Sequence, residues 1–166
     1  MAARKIRLLG DPVLRKKCRL VKRYSSPVVR RTIRDLRDTL DDFRSRHGFG
    51  RGIAAPQIGA AFKIIFIRTH HLGPLINPKI TKRSKRTFKV WDDCFSFPDL
   101  LVEVNRHAVI EVAYRDANGA GRKLRATNGL SELLQHEIDH TNGVLAIDRA
   151  ISSRSIVMRS EFKKPA

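Results

Sequence analysis

The segment QHEIDH at residues 135–140 carries the side chains best suited to chemistry, which are His136, Glu137 and His140. Four residues advance an α-helix by about 400° and about 6 Å, so the two imidazoles leave one face of a helix, one turn apart. Two imidazole nitrogens placed in this way can bind one metal ion at about 2.0–2.1 Å. Glu137 could then hydrogen-bond a water molecule and transfer its proton. The pattern predicts a hydrolytic metal site, although a surface helix can also match so short a motif by chance.

A hydrolytic metal site needs a third protein ligand, and the sequence offers more than one candidate. The metalloprotease class with a third histidine six residues after His140 is excluded, because Ala146 occupies that position. Glu161 is the only downstream glutamate, but it lies in a short basic tail. Cys94 lies between bulky apolar side chains and is either a thiolate ligand or an inert buried cysteine. The spacing alone leaves these alternatives open.

A third segment, GRGIAAPQIG at residues 50–59, combines glycines with small alanines and leaves room for a ligand. Gln57 is its only side-chain amide, and an amide N–H can donate to a developing oxyanion. The segment is a poor nucleotide loop, because it follows a predicted helix and no Lys-Ser/Thr pair follows it. The alternative interpretation is a plain turn between a helix and a strand.

Hydrophobic periodicity predicts the framework that must hold these side chains. Residues 28–46 have apolar side chains at steps of three and four, which indicates an amphipathic helix, and residues 128–142 return to helical spacing. Apolar or alternating runs predict strands, and Asn118-Gly119 predicts a hairpin turn. The predicted strands are residues 62–68, 100–104, 107–114 and 122–126. The order of helix, strands and helix favours an α+β fold with mostly antiparallel pairing.

The three segments together resemble the peptide deformylase family. That family is marked by a G-x-G-Φ-A-A-P-Q-x-G segment, an E-G-C-Φ-S segment and a Q-H-E-x-D-H segment. Here they occur in the same order as GRGIAAPQIG, DDCFS (92–96) and QHEIDH, and weaker matches extend over nearly the whole chain. The resemblance implies one catalytic domain over residues 1–166. It also implies an α+β fold, with antiparallel sheets around a central metal-binding helix.

By position, the resemblance implies that Cys94, His136 and His140 bind one divalent metal ion, with water as the fourth ligand. In this family the ion is usually Fe(II), and Zn(II), Ni(II) or Co(II) can replace it. A thiolate ligand suits Fe(II) and Zn(II) alike, so the sequence does not choose between them.

The same resemblance implies a reaction, the hydrolysis of the N-terminal formyl group of formyl-methionyl nascent peptides with release of formate. Glu137 would be the general acid and base. The amide of Gln57 and the backbone N–H of Phe95 would stabilise the oxyanion. Three further residues would contact the substrate, namely Gly52, Ile53 and Arg106.

Several positions depart from the family pattern, and three of them bear on the site. Asp92-Asp93 replaces the usual Glu-Gly before the cysteine, which removes the backbone freedom of a glycine there. Glu132, one helical turn before His136, stands where some deformylases have an apolar residue near the methionine pocket. We expect Glu132 to point to solvent. If it faces the pocket instead, the preference for methionine is in question.

The chain has 166 residues and a formal net charge of +18, from 34 Lys and Arg against 16 Asp and Glu. Two runs are strongly basic, residues 15–23 with six cations in nine and residues 79–89 with six in eleven. They could dock on ribosomal RNA, or they could be solvated loops. The basic runs leave open an RNA-binding protein that has lost catalysis. A hydrolase of another N-acyl group is a further alternative.

The sequence indicates a cytoplasmic protein. No run approaches the roughly 20 apolar residues that cross a bilayer, so no membrane partner is expected. The N-terminus lacks the apolar region of a secretory signal. Because the chain has only two cysteines, Cys18 and Cys94, a disulfide framework is not expected either.

Overall fold

A computed structural model of the chain describes residues 3–162. Its helices are α1 (Pro27–His47) and α2 (Asn128–Thr141). Its strands are β1 (Gly52–Ala54), β2 (Ile64–Ile67), β3 (Gly73–Arg83), β4 (Thr87–Asp93), β5 (Leu100–His107), β6 (Val109–Arg115), β7 (Gly121–Thr127) and β8 (Ile156–Met158). They form a five-stranded sheet in the order β1-β2-β3-β6-β7 and a three-stranded sheet in the order β4-β5-β8. Every pairing within these sheets is antiparallel. The predicted α+β fold with antiparallel sheets is confirmed.

The five-stranded sheet is covered by a helix on each face. On one face α1 packs its apolar stripe, including Leu36 and Leu40, against Ile64 and Ile76. On the other face α2 packs against Ile65 and neighbouring apolar side chains. Ile64 packs on one face and Ile65 on the other, because successive side chains of a pleated strand point to opposite faces of the sheet. A strand buried on both faces reads as a continuous apolar run, as IIFI does here.

Helix α2 is the central helix of the fold. It contacts β1 and β7 of the large sheet and β5 of the small one. Residues 131–141 are all buried, so even the polar side chains of QHEIDH are withdrawn from water. A helix that is buried on every side and yet carries charged groups must supply those groups with partners, and this requirement shapes the site described below. None of the helices in residues 3–162 is long and apolar enough to span a bilayer.

Four strands were not predicted from the sequence, and two of them include the second basic run. Residues 79–89, for which a solvated loop was one interpretation, are the end of β3, a short turn and the start of β4. Their six cations are exposed nevertheless. The strands carry cations on their exposed side and have only isolated apolar residues between them, so the alternating signal is weak. The other two strands, β1 and β8, have three residues each.

Candidate active site

Helix α2 and the end of β4 bring a cysteine and two histidines together. Cys94 directly follows β4, and its Sγ lies 3.3 Å from His140 Nε2. His140 Nε2 lies 3.2 Å from His136 Nε2. The three ligand atoms all fall within 4.8 Å of one another, and all three residues are buried.

Two of the three separations between these atoms fit a shared metal ion. Two atoms bound to one cation at about 2.0–2.3 Å with a tetrahedral angle lie about 3.3–3.6 Å apart. The observed separations of 3.2 and 3.3 Å are close to that range. A donor set of one sulfur and two imidazole nitrogens suits Zn(II) and Fe(II). Cys94 and His136 also line a cavity of about 280 Å³, which gives a substrate access to the cluster.

A chain of buried charges supports the first histidine from behind. His136 Nδ1 lies 2.9 Å from Asp92 Oδ1. Arg106 Nη2 donates to Asp92 Oδ2 at 2.8 Å, and its Nη1 donates to Asp139 Oδ2 at 2.7 Å. Arg149 Nη2 reaches the other oxygen of Asp139 at 2.8 Å. Burial opposes ionisation of Asp92, but the charges of His136 and Arg106 hold the pKa of that carboxyl well below its usual value. A carboxylate behind a ligating histidine orients the ring and raises its basicity.

Glu137 offers a carboxyl group to the cavity. It is 3% exposed, it lines the cavity, and its Oε2 has no hydrogen-bond partner among the described residues. Burial raises the pKa of Glu137 to about 7, where a carboxyl group both accepts and returns a proton at neutral pH. Gly52 packs directly against it, because a Cβ at residue 52 would lie 2.9 Å from Glu137 Oε1. A side chain at that position in β1 would displace the carboxyl group of Glu137 from its place.

The amide of Gln57 is fixed in one orientation. The backbone N–H of Ala54 donates to Gln57 Oε1 at 2.9 Å. This contact turns the amide nitrogen towards Cys94, where Nε2 lies 3.6 Å from Cys94 Sγ and 3.3 Å from Ser96 Oγ. The side chain is thus held as a donor at the wall of the cavity.

The other residues expected at the site divide into two groups. Gly52 and Phe95 line the cavity. Ile53 is fully buried in the core beneath α1. Arg106 is 2% exposed and is engaged in the buried ion pairs, and neither it nor Ile53 lines the cavity. The alternative third ligand, Glu161, lies outside the cluster of Cys94 and the two histidines.

A family model described as polypeptide deformylase matches residues 3–155. The chain belongs to the polypeptide deformylase family. It is 36% identical over 162 residues to a peptide deformylase of Microchaete diplosiphon, covering 94% of this chain and 82% of the relative. A peptide deformylase of Thermotoga maritima is 33% identical over 160 residues, covering 95% and 93% of the two chains.

Solved deformylase structures have the same fold. A crystal structure of a peptide deformylase from Synechococcus elongatus in complex with actinonin has a TM-score of 0.84 and 34% identity, covering 93% of this chain and 82% of that one. A crystal structure of the Thermotoga maritima enzyme has a TM-score of 0.82 and 33% identity, covering 92% and 100%. Family and fold therefore agree with the resemblance of the three motifs.

Glu132 departs from the deformylase pattern, and our expectation that it points to solvent is wrong. It is 5% exposed and lines the same cavity as Cys94 and His136. Burial raises the pKa of Glu132, while the guanidinium of Arg51 opposes the shift. The second departure, Asp93, forms an ion pair with Arg159 at 3.1 Å. Both arginines also line the cavity, so each of these two acids has a cationic partner at the cavity wall.

Asp92 and Arg51 are parts of the site that were not predicted from the sequence. A ligating histidine needs an acceptor for its second nitrogen, so an acid next to Cys94 was a candidate for that role. Arg51 could not be predicted as part of the site, because its partner Glu132 is 81 residues away in the chain. Only the fold, which sets β1 beside α2, brings the two together.

Proposed function

We propose that this chain is a metal-dependent hydrolase that removes the N-terminal formyl group of peptides and releases formate. The observation that carries the proposal is the convergence of Cys94, His136 and His140 within 4.8 Å, with Cys94 and His136 at the wall of one cavity. Formyl-methionyl nascent peptides are the substrate class of the family. We also propose a single catalytic domain and a cytoplasmic location.

Cys94, His136 and His140 would hold the metal ion, for which we propose Fe(II), with Zn(II), Ni(II) or Co(II) as replacements. When bound, such a cation supplies Lewis acidity and makes hydroxide available near neutral pH. Asp92 would keep the ring of His136 in the ligating orientation. Arg106 acts behind Asp92 as a positioning residue, because its guanidinium is engaged by two carboxylates.

Glu137 is the proposed general base and acid. Its free oxygen accepts a proton from the attacking water, and a bond forms between the water oxygen and the formyl carbon. The C–N bond of the formyl amide then breaks. Glu137 returns the proton to the leaving nitrogen, which becomes the new peptide N-terminus, and formate departs.

Gln57 and Phe95 are the proposed donors to the oxyanion. The fixed amide Nε2 of Gln57 points to the region beside Cys94 where the formyl oxygen gains charge. The backbone N–H of Phe95, the residue after Cys94, is the proposed second donor. Donors placed before the reaction stabilise the transition state without further reorganisation. The backbone of Gly52, with the adjoining Ile53, would pair with the backbone of the substrate at the edge of β1.

The decisive experiment is formate release from a formyl-Met peptide by protein purified without oxygen and loaded with Fe(II). We expect turnover, and we expect Glu137→Ala to abolish it while the protein still binds one metal ion. A Glu137→Ala variant that turns over at the wild-type rate would reject the mechanism. Absence of formate from the fully loaded wild type would reject the function.

A second proposal concerns the two basic segments, residues 15–23 and 79–89. Their twelve cations are exposed, and exposed cations in this number can neutralise several phosphates. We propose that these segments dock on ribosomal RNA near the emerging substrate. The alternative of an RNA-binding protein without catalysis is not favoured, because the chain belongs to the polypeptide deformylase family and keeps candidates for the ligands, the base and the oxyanion donor close together. Filter binding to RNA over a salt series tests the docking.

A further inference from the structure

A second, larger cavity lies on the face of the five-stranded sheet that α1 covers, opposite the face that carries α2. It opens between α1, the beginning of β3 and the turn that joins β6 to β7. Its volume is about 740 Å³, within the range of about 300–1,000 Å³ that is usual for ligand sites. Within residues 3–162, no residue lines both this cavity and the one at Cys94 and His136.

Three arginines of α1 line this cavity, and no acidic residue of the described chain does. Arg30, Arg34 and Arg37 follow one another at steps of four and three, so they leave one face of the helix over about 10 Å. Arg37 pairs with Asp38 at 3.0 Å, whereas Arg30 and Arg34 form no ion pair with any acid in residues 3–162. This row of cations therefore suits an extended anion, because a single phosphate or carboxylate can contact only part of it.

An aromatic ring lies between this cavity and a neighbouring one of about 540 Å³. Tyr24 is half-buried and lines both cavities. The hairpin turn holds its ring in place, since a Cβ at Gly119 would lie only 2.8 Å from Tyr24 Cδ2. Tyr114, Lys79 and Lys123 line the neighbouring cavity. Aromatic rings set among cations are the combination on which unpaired bases of nucleic acids stack.

These features favour a single strand of RNA over other anions. A lipid or a free nucleotide carries its charge at one end and would leave part of the arginine row unused. A duplex keeps the faces of its bases inside the stack, so it offers nothing that Tyr24 can stack on. Ser25 and Asn118 also line the cavity, and their side chains can hydrogen-bond the 2′-hydroxyl of a ribose.

We propose that the two cavities, joined at Tyr24, form a groove for single-stranded RNA, in which a base stacks on Tyr24 and successive phosphates contact Arg30 and Arg34. The inference goes beyond the docking proposed for residues 15–23 and 79–89, because it adds a site for unpaired bases whose tyrosine and arginines lie outside both segments. It does not rest on the proposed deformylase activity.

The test measures the affinity of the metal-loaded protein for a fluorescent RNA strand of about eight nucleotides, by anisotropy over a salt series. We expect the unpaired strand to bind at least about tenfold more tightly than a hairpin of the same composition with its bases paired. We expect Tyr24→Leu to weaken binding of the strand by about fivefold or more, because a stacked base is lost. Tyr24→Phe keeps the ring, so we expect it to bind like the wild type.

The arginines are tested by the salt dependence of the same binding. We expect Arg30→Gln combined with Arg34→Gln to reduce the slope of log affinity against log salt by about 1.4, because each phosphate contact of a single strand contributes about 0.7. The matched control combines Arg31→Gln with Arg154→Gln, which removes two exposed arginines that line neither cavity. We expect this control to keep the slope and to change the affinity by less than about twofold.

Two further measurements accompany each variant. A melting temperature shows that it is folded, and the arginine variant, whose side chains are exposed, still decides the question if Tyr24→Leu does not fold. Formate release from a short formyl peptide is expected to stay at the wild-type rate, because none of the changed residues lines the cavity at the metal ligands.

The outcomes distinguish the inference from the proposed function. Equal affinity for the strand and the paired hairpin, or equal slopes in the arginine variant and its control, would overturn the inference. Equal affinity for a DNA strand of the same sequence would overturn the assignment to RNA. If RNA binds as expected but the loaded protein releases no formate, the proposed function is wrong and the groove for RNA stands.

Discussion

At the scale of single residues, Gln57 carries a specific prediction. Its amide is oriented by Ala54 so that Nε2 faces Cys94. We expect Gln57→Glu, which keeps the acceptor for Ala54 but loses the donor, to lower kcat by about 10²–10³ because an oxyanion donor is removed. Steady-state kinetics with a formyl peptide, together with metal analysis, measure this. Wild-type kcat in a Gln57→Glu variant that contains metal would exclude Gln57 as the donor.

Cys18 makes a prediction about stability and pH. It is 5% exposed, and burial raises the pKa of its thiol from 9.0 to about 11, with Lys63 opposing the shift. The folded chain therefore holds this proton more tightly than the unfolded chain. The resulting stability is fully present below pH 9.0 and is lost as the pH rises towards about 11. We expect urea unfolding to show a smaller loss of folding stability over that pH range in Cys18→Ala than in the wild type. Identical losses in the two proteins would contradict this prediction.

At the scale of elements, the buried charges that connect β4, β5 and α2 have both a structural and a functional role. We expect Arg106→Met to cost about 3–5 kcal/mol of folding stability, because Asp92 loses its buried partner. We also expect it to weaken metal affinity by about 10–100-fold, since the support of His136 is lost.

A matched control for that variant is Arg122→Met. It breaks an ion pair with Asp116, but Arg122 is 58% exposed, so we expect a change within about 1 kcal/mol. Denaturant unfolding and metal titration measure both effects. Equal stability losses in the two variants, or metal binding unchanged in Arg106→Met, would show that the chain of charges does not support the ligands.

The elements also show how far the sequence could be interpreted without the structure. Helices α1 and α2 were predictable because apolar residues recur at helical spacing, and the placement of His136 and His140 on one face of α2 followed from that spacing. The burial of Glu132 was not predicted, because an acidic residue is expected to be exposed to solvent unless the sequence shows a cationic partner for it. Its spacing from His136 gave the opposite indication, since residues four apart share a face. The partner, Arg51, directly precedes β1, and only tertiary structure supplies that contact.

At the scale of the whole molecule, the positive charge predicts a salt-dependent partner. Residues 15–23 and 79–89 carry twelve exposed cations. If these two segments dock on RNA, the logarithm of the affinity for RNA falls as the logarithm of the salt concentration rises, because binding releases counterions. We expect replacement of the six cations of residues 79–89 by glutamine to reduce that slope and to leave deformylation of a short peptide unchanged. No RNA affinity even at low salt would exclude the docking proposal.

The central claim is that one sulfur and two imidazole nitrogens bind a single metal ion, and X-ray absorption spectroscopy of the loaded protein tests it most directly. We predict one sulfur neighbour at about 2.3 Å and nitrogen or oxygen neighbours at about 2.0–2.2 Å, with the sulfur neighbour absent in Cys94→Ser. A spectrum of the loaded wild type without any sulfur neighbour would contradict the account.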